Sequence, residues 1–558
     1  MTRDLNLNDI QGNVTRAYGR FSFPFARYYF FQFPSARAGR DFMDRLREKV
    51  TTAARWPDMQ DKPFCTTNVA LSFPGLWVLQ LPVRTLQAMP NEFIEGMKAR
   101  AFILGDRDQT KTEDDALRED WDAHWDPIWQ KSREPGTGGK DDVHLLVTLN
   151  AQVKPNTTDQ PHPALAERVK WLLKQAKDTG VRHLDGVGTK GDKDHQDASA
   201  VYEKIGGANL PTPKEHFGFT DGIGDPAFEG QHRVEDAADA VVGRGKLMGD
   251  GWQPLATGEF LLGHPDESQE LPPTAMPPEF MNNGTFVAFR KLHENVGSFD
   301  AVVDEEGDRY AKVMEVSKDE AVETLRAKMC GRWSDGVPLS KVATYPEWVA
   351  FGEKMKFRGE GVNPIEGYKA NLAYIASKDA RDFRYADDMT GAKCPGGSHM
   401  RRVNTRDYLD PLNKSGTDPA TGKPQTNPNA TSTLNKRRRI LRRGLPYGPA
   451  NFEHKDDDTE QGVIMLIMGA SLFRQFEFVQ QQWIQYGLDF HQGNNTCPML
   501  GNHDHHKRHT VASDPASGKP PYVMSTLKTF VECRGGDYFF VPSMTALRMM
   551  AMGIVDPT

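Results

Sequence analysis

Apolar positions along this chain follow two periods, and the order in which those periods alternate outlines a fold. RYYFFQF (27–33) is rich in aromatic residues and predicts a strand. Within 36–56, Phe42, Met43, Leu46 and Val50 fall at helical spacing, which gives one apolar face. NVALSFPGLWVLQL (68–81) predicts a strand interrupted at Pro74, where an edge or a bulge is expected. Helical segments follow in 82–101, then a strand in DDVHLLVTLNA (141–151). PALAERVKWLLKQAKDTG (163–180) predicts a helix with Leu165, Val169, Leu172, Leu173 and Ala176 in register and Gly180 as its stop. The second half repeats the theme. EFLLGH (259–264) and NGTFVAFRKL (283–292) predict strands, and 297–333 is mostly helical. GVIMLIMGASL (462–472) is a nearly continuous apolar run, as in a strand buried on both faces, with a helix over 473–487 packed behind it. TFVECRGGDYFFVPS (529–543) predicts a hairpin turning at Gly535–Gly536. This order suits an α+β architecture of antiparallel sheets with peripheral helices, and its repetition suggests two related lobes.

Three polar stretches interrupt the pattern. The charged segment between Gly105 and Asp142 carries Trp121, Trp125 and Trp129 at a spacing of four. An electron relay is one reading; a helix packing its aromatic stripe on the body is the commoner one. Residues 410–436 and 501–521 are rich in Pro, Gly, Asn and Thr or in histidine, and read as loops. His503, His505, His506 and His509 raise the question of a metal site or a hydrolytic centre, but no Cys or Glu joins them at ligand spacing.

Composition narrows the function classes. A hydrophobic content of 38% over 558 residues is enough for a sizeable core, and a net charge of −7 offers no basic face for nucleic acid. No run of about 18 apolar residues exists, so no membrane span is expected. Five cysteines without a CxxC pair point to a reducing compartment rather than to a disulfide framework. The polar start MTRDLNLNDIQGNV shows no export signal, so the expected location is the cytoplasm.

Three blocks hold candidate chemistry. HFGFTDGIGDP (216–226) sets Asp221 between glycines and beside Phe217 and Phe219. Taken alone, a D-G pair is more often a surface turn than a catalytic loop. CPGGSHMRRVNTRD (394–407) places His399 after a Gly-Gly turn and before a basic run. RRRILRRGLPYGP (437–449) sets Ile440 and Leu441 inside a dense set of arginines, which a charged surface strand could also explain. An iron-binding histidine needs a free ring nitrogen and a partner that orients it. Arg406 could neutralise a cofactor carboxylate. An acid and an arginine on the far side of an iron would suit O–O cleavage. Composition shows only that these parts are present.

In this order and spacing the blocks resemble the dye-decolorizing peroxidases, of the long bacterial and fungal type. GFTDG (218–222) is similar to the family's GxxDG motif, HMRRVNTR (399–406) to its proximal block and ILRRGLPYG (440–448) to its distal-arginine block. DIQGNV, NGTFVAFRKL, AKMCGRWSDGVPL (327–339), FRQFEFVQQQWI and RGGDYFFVPS extend the resemblance from about residue 9 to residue 545. It implies two ferredoxin-like lobes, residues 1–215 and 216–558, with the GxxDG loop at their junction and haem b bound mainly by the C-terminal lobe. It further implies His399 as the iron ligand, Asp221 as the distal acid and Arg442 as the distal arginine. Arg406 would hold a haem propionate, Gly222 and Ile223 would lie against the porphyrin, and Glu477 would hydrogen-bond the proximal histidine. Thr405 and Met400 depart from the family's proline and isoleucine, and Met465 takes the place of a distal phenylalanine. The insert 410–436 lengthens the interval between His399 and Arg442. The implied activity is reduction of hydrogen peroxide with oxidation of phenols or aromatic dyes, in a chain that could form homo-oligomers. The alternatives are a haem carrier or iron-releasing protein, and cargo for a shell compartment. With MTALRMMAMGIVDPT following FFVPS, no shell-targeting tail is expected.

Overall fold

The computed structural model describes residues 5–19, 21–58, 61–110, 120–249, 251–272, 275–411, 429–504, 506–513 and 518–555. Among the described residues ten strands form one antiparallel sheet. In chain order they are β1 (Phe25–Gln32), β2 (Cys65–Leu71), β3 (Leu145–Ala151), β4 (Arg182–His183), β5 (Gln196–Ser199), β6 (Thr285–Glu294), β7 (Leu441–Arg443), β8 (Pro446–Tyr447), β9 (Gly462–Gly469) and β10 (Val531–Val541). Their spatial order is β7-β9-β6-β10-β2-β3-β1-β4, with β8 on β9 and β5 on β1. Strands from before residue 200 therefore make one half and strands from after residue 284 the other. The halves meet where Phe540 of β10 lies opposite Leu71 of β2.

The aromatic and β-branched residues of β1, β2 and β3 form strands because both faces of the sheet are covered. All seven positions of β2 and of β3 are buried. Pairing runs from Phe25↔Ala151 to Phe31↔Leu145 and from Cys65↔Ala151 to Leu71↔Leu145. The six helices used below are α1 (Ala36–Arg47), α2 (Ala164–Thr179), α3 (Val296–Met314), α4 (Lys318–Cys330), α5 (His399–Val403) and α6 (Met544–Met552). α1 buries Phe42, Met43 and Leu46, the face read from the sequence, and packs on α2 and on α6. α2 stops at Gly180, which adopts the left-handed conformation that glycine tolerates best.

Four expectations are corrected. The strand expected over 68–81 ends at Leu71; Ser72 Oγ accepts the Gly75 amide and caps a helix, Phe73–Val78, with Pro74 in its first turn. Proline fits there because the first-turn amides have no helical partner. EFLLGH is not a strand but a tight turn and loop, with Phe260, Leu261 and Leu262 fully buried. TFVECRGGDYFFVPS is not a hairpin: β10 runs through it as one strand with a bulge where Arg290 and Leu292 face Gly536 and Cys533. A Cβ on Gly535 would lie 2.2 Å from Trp129 Cδ1, so glycine is present for close packing rather than for a turn. The tryptophan stripe is not one helix either, because only Pro127–Lys131 is helical there. Trp125 and Trp129 are buried, and Trp129 packs edge-on against Phe30 and beside Phe289, which supports the packing reading. The helix behind β9 is present but winds as wide π turns over Leu472–Glu477 and Val479–Ile484. Among the described residues no helix is long and apolar enough to cross a membrane.

Candidate active site

The loop 213–226 folds around a residue that sequence reasoning passed over. Glu215 accepts the amides of Phe217 (2.7 Å) and Phe219 (2.9 Å), so its carboxylate forms the centre of the turn. Gly218 takes φ +85°, which favours glycine, and the Asp221 amide donates to Pro213 O. Phe217 and Phe219 do not line the site. They turn into the core against Phe299 of α3, with ring centroids 4.5 and 6.0 Å away. Arg326 of α4 lies over Phe219 and donates to Phe217 O.

Beneath the loop Glu215 meets Glu294, the last residue of β6, whose Oε2 accepts the His216 amide at 3.2 Å. Both carboxyls are buried and share one hydrogen bond, and burial raises both above the usual carboxyl range. Burial first, then the Glu215 charge, raises Glu294 well above the usual carboxyl range. A carboxyl whose folded pKa is raised contributes stability that is fully present below its unfolded value. That contribution is lost as pH rises through the folded value. Glu294→Gln keeps both hydrogen bonds and removes the proton uptake. We therefore expect this variant to flatten the fall of stability above pH ~4.5, where one proton contributes a slope of up to about 1.4 kcal/mol per pH unit. Urea unfolding across a pH series measures it; parallel profiles for the two proteins would refute the shared-proton reading.

The far end of the loop holds β7. Asp225 accepts the Arg442 amide at 3.2 Å and pairs with Arg443 Nη1 at 2.9 and 3.0 Å. Arg443 also donates to Asn13 O and Val14 O, so the DIQGNV segment supports the same strand. With its backbone fixed, Arg442 turns its side chain to Asp221, and Nη2 lies 2.9 Å from Oδ1. The Asp221 charge raises the Arg442 pKa and keeps the guanidinium charged.

Two cavities share this pair. One, of about 610 Å³, is largely apolar: Tyr18, Phe21, Leu372, Ile375, Val463 and Met465 line it together with Asp221, Gly222, Ile223 and Arg442. The other, of about 100 Å³, is lined by Asp221, Gly222, Ile223 and Arg442 again, and by His399, Arg406, Arg332 and Arg439. His399 borders only the narrow cavity and Met465 only the wide one, so the acid–arginine pair stands between them. Asp221 and Arg442 side chains keep 28% and 32% exposure, because both face these spaces.

His399 opens α5, and its Nδ1 lies 3.4 Å from Cys497 Sγ. Burial first, then the Arg442 charge, lowers its pKa to about 4, so the ring is neutral at ordinary pH. Arg406 sits at φ +52°, a strained conformation for a non-glycine residue. Its Nη1 donates to Arg381 O and Phe383 O, and its buried Nε has no partner. Arg332, Arg406 and Arg439 are buried and form no ion pair with a carboxylate among the described residues. Burial pushes Arg406 down to about 10, and burial together with the Arg406 charge pushes Arg439 to about 9. Three buried cations without counter-charge beside a neutral imidazole fit an iron macrocycle that carries carboxylates.

Glu477 is not brought to His399. Its carboxylate is held by Arg100, with Nη2 at 2.7 Å, and by the Tyr538 hydroxyl at 2.8 Å. The histidine-rich loop does not gather either. His503 bonds Cys497 O, His509 bonds Lys328 O, and His505 lies outside the described residues. No group of three or more His, Cys, Asp or Glu suited to a metal exists among the described residues. Sequence reasoning missed Glu215, Glu294, Asp225, Arg439 and Cys497. Asp225 was readable, since it closes the same motif; Glu294 and Cys497 had no local signal.

No family model matches the chain. It is 22% identical over 565 residues to dye-decolorizing peroxidase msp1 of Mycetinis scorodonius, covering 98% of this chain and 87% of that protein. A mutant of the dye-decolorizing peroxidase from Pleurotus ostreatus superposes with a TM-score of 0.67 at 19% identity, over 98% of this chain and 99% of that one. A dye-decolorizing peroxidase in complex with 2,6-dimethoxyphenol does so with a TM-score of 0.64 at 21% identity, over 98% and 100%. The two-lobe α+β fold is common to them.

Proposed function

We propose that this chain, a member of the dye-decolorizing peroxidase family, is a haem b peroxidase that reduces hydrogen peroxide and oxidises phenols and dye-type aromatics. The observation that carries the reading is the 2.9 Å Asp221–Arg442 pair on the wall of the cavity that it shares with His399. When bound, haem supplies the iron and conjugated ring at which peroxide is reduced by two electrons. His399 would hold the iron through Nε2, and Arg406, with Arg332 and Arg439 beside it, would hold the carboxylates. Gly222 and Ile223 would lie against the ring, and Met465 would stand further out in the wide cavity.

Asp221 accepts the proton from one peroxide oxygen and returns it to the departing one. Arg442 stabilises the negative charge that builds on the departing oxygen, and the low-polarity surroundings strengthen that interaction. The wide cavity gives peroxide a path to the pair, and its apolar wall suits an aromatic donor. The reading carries with it lobes 1–215 and 216–558, supported by β1–β5 preceding the Asp221 loop and β6–β10 following it. A cytoplasmic location is supported by five buried free cysteines.

The test is spectroscopic and kinetic. The purified protein should show a Soret band and a fast absorbance change on stopped-flow mixing with peroxide. A protein that binds haem without that change would be a carrier instead. His399→Ala should lose the histidine-ligated spectrum; an unchanged spectrum would overturn the ligand assignment.

A further inference from the structure

The proximal side of the site is built around a thiol. Cys497 is fully buried, and its backbone is fixed on both sides. Its amide donates to Ile484 O at 2.7 Å, at the end of the π-wound helix. Its carbonyl accepts the Gly501 amide at 2.9 Å and the His503 ring at 3.0 Å. The side chain is therefore held in place, 3.4 Å from His399 Nδ1. No other side chain hydrogen-bonds that ring among the described residues, and Glu477, expected in this role, is committed to Arg100 and Tyr538.

Charge around the ring points the same way. The proximal side carries Arg402, whose guanidinium donates to Gly397 O, Trp483 O, Tyr486 O and Asn495 O and meets no carboxylate. Asp221 and Arg442 act on the ring from the opposite pair. If His399 offers Nε2 to iron, Nδ1 carries the hydrogen and sulfur is its acceptor. Sulfur is a weak acceptor, whereas a carboxylate would draw that hydrogen and make the ring a stronger electron donor.

We propose that Cys497 is the positioning residue of the proximal imidazole, fixing its orientation through Nδ1–H···Sγ while leaving it a neutral, weakly donating ligand. The proposal rests on His399 binding haem iron. It places the main promotion of O–O cleavage on Asp221 and Arg442, because the proximal side provides little electron push. It also sets a relatively high iron(III)/iron(II) potential for the holoprotein.

The experiment uses haem-loaded wild type, Cys497→Asp, Cys497→Ser and Cys497→Ala, with haem occupancy measured for each. The readouts are the iron–histidine stretching frequency of the ferrous form and the iron midpoint potential. Cys497→Asp should raise the frequency and lower the potential, since a carboxylate strengthens the ring as a donor. Cys497→Ser should shift both in the same direction by less. Cys497→Ala should broaden the band, because the ring loses the side chain that fixes it. If Cys497→Asp does not fold, Ser and Ala carry the comparison. Wild-type frequency, band width and potential in the fully loaded variants would overturn the role of Cys497. A wild-type protein without an iron–histidine band would instead overturn the haem ligation on which it rests.

Discussion

Asp221→Asn is expected to fold and to take up haem, yet to reduce peroxide slower by roughly 10²–10⁴-fold, the range typical of a lost general acid–base group. The fold should survive because the loop is held by other atoms: the Asp221 amide on Pro213 O and the Glu215 carboxylate under Phe217 and Phe219. Asparagine can still accept from Arg442 Nη2, so the guanidinium keeps its place, but it cannot take and return a proton. Arg442→Leu should lose a factor of roughly 10²–10³, since it removes the group aimed at developing negative charge. The two residues act as a unit, so the double variant should lose much less than the product of the single losses. Single-mixing kinetics with peroxide across a pH series measures these factors. Full turnover by Asp221→Asn at every pH would refute the proton-transfer role.

Much of this site was legible in the sequence, because its parts lie in short blocks that a glycine or an alternation marks. Gly218 and Gly222, both at positive φ, announced a backbone turn, and the acid between them is the one that meets Arg442. The arginine run left a reactive block and a charged strand both open; Leu441–Arg443 is a strand, and its Arg442 meets Asp221. What stayed hidden depends on long-range register. Glu294 reads as the charged end of a strand, and only the pairing of β6 carries it under residue 215. Cys497 reads as an isolated buried residue in a loop, and only the path of the chain after the π-wound helix brings it to His399. Glu477 shows the converse: it lies on the right helix, but Arg100, at the start of the short helix Ala101–Leu104, claims its carboxylate. The two strand errors have one source. Apolar runs such as 68–81 and 259–264 indicate burial, and burial alone does not separate a strand from a short helix or a packed loop.

Asp106→Ala is expected to destabilise the protein by about 3–5 kcal/mol, the range for orphaning a buried charge. The reason lies in the charged insert that follows Gly105. Arg290 and Lys291 are consecutive on β6, so they point to opposite faces of the central sheet. Arg290 is met by Asp106, with contacts of 2.6 and 3.0 Å, and the two side chains are 2% and 0% exposed. Lys291 is met on the other face by Asp126 at 2.8 Å and by Glu460 at 2.7 Å. The insert thus neutralises one cation on each face of the strand that also ends in Glu294. Asp126→Ala should cost less than Asp106→Ala, because Glu460 still balances Lys291 while Arg290 keeps no carboxylate. Lys291→Met should be worse than Asp126→Ala, since it leaves Asp126 and Glu460 without their shared cation. Urea midpoints of the three variants test this ranking. If Asp106→Ala unfolded within about 1 kcal/mol of wild type, as an ordinary surface change would, the insert would not be the clamp described and its tryptophans would need another explanation.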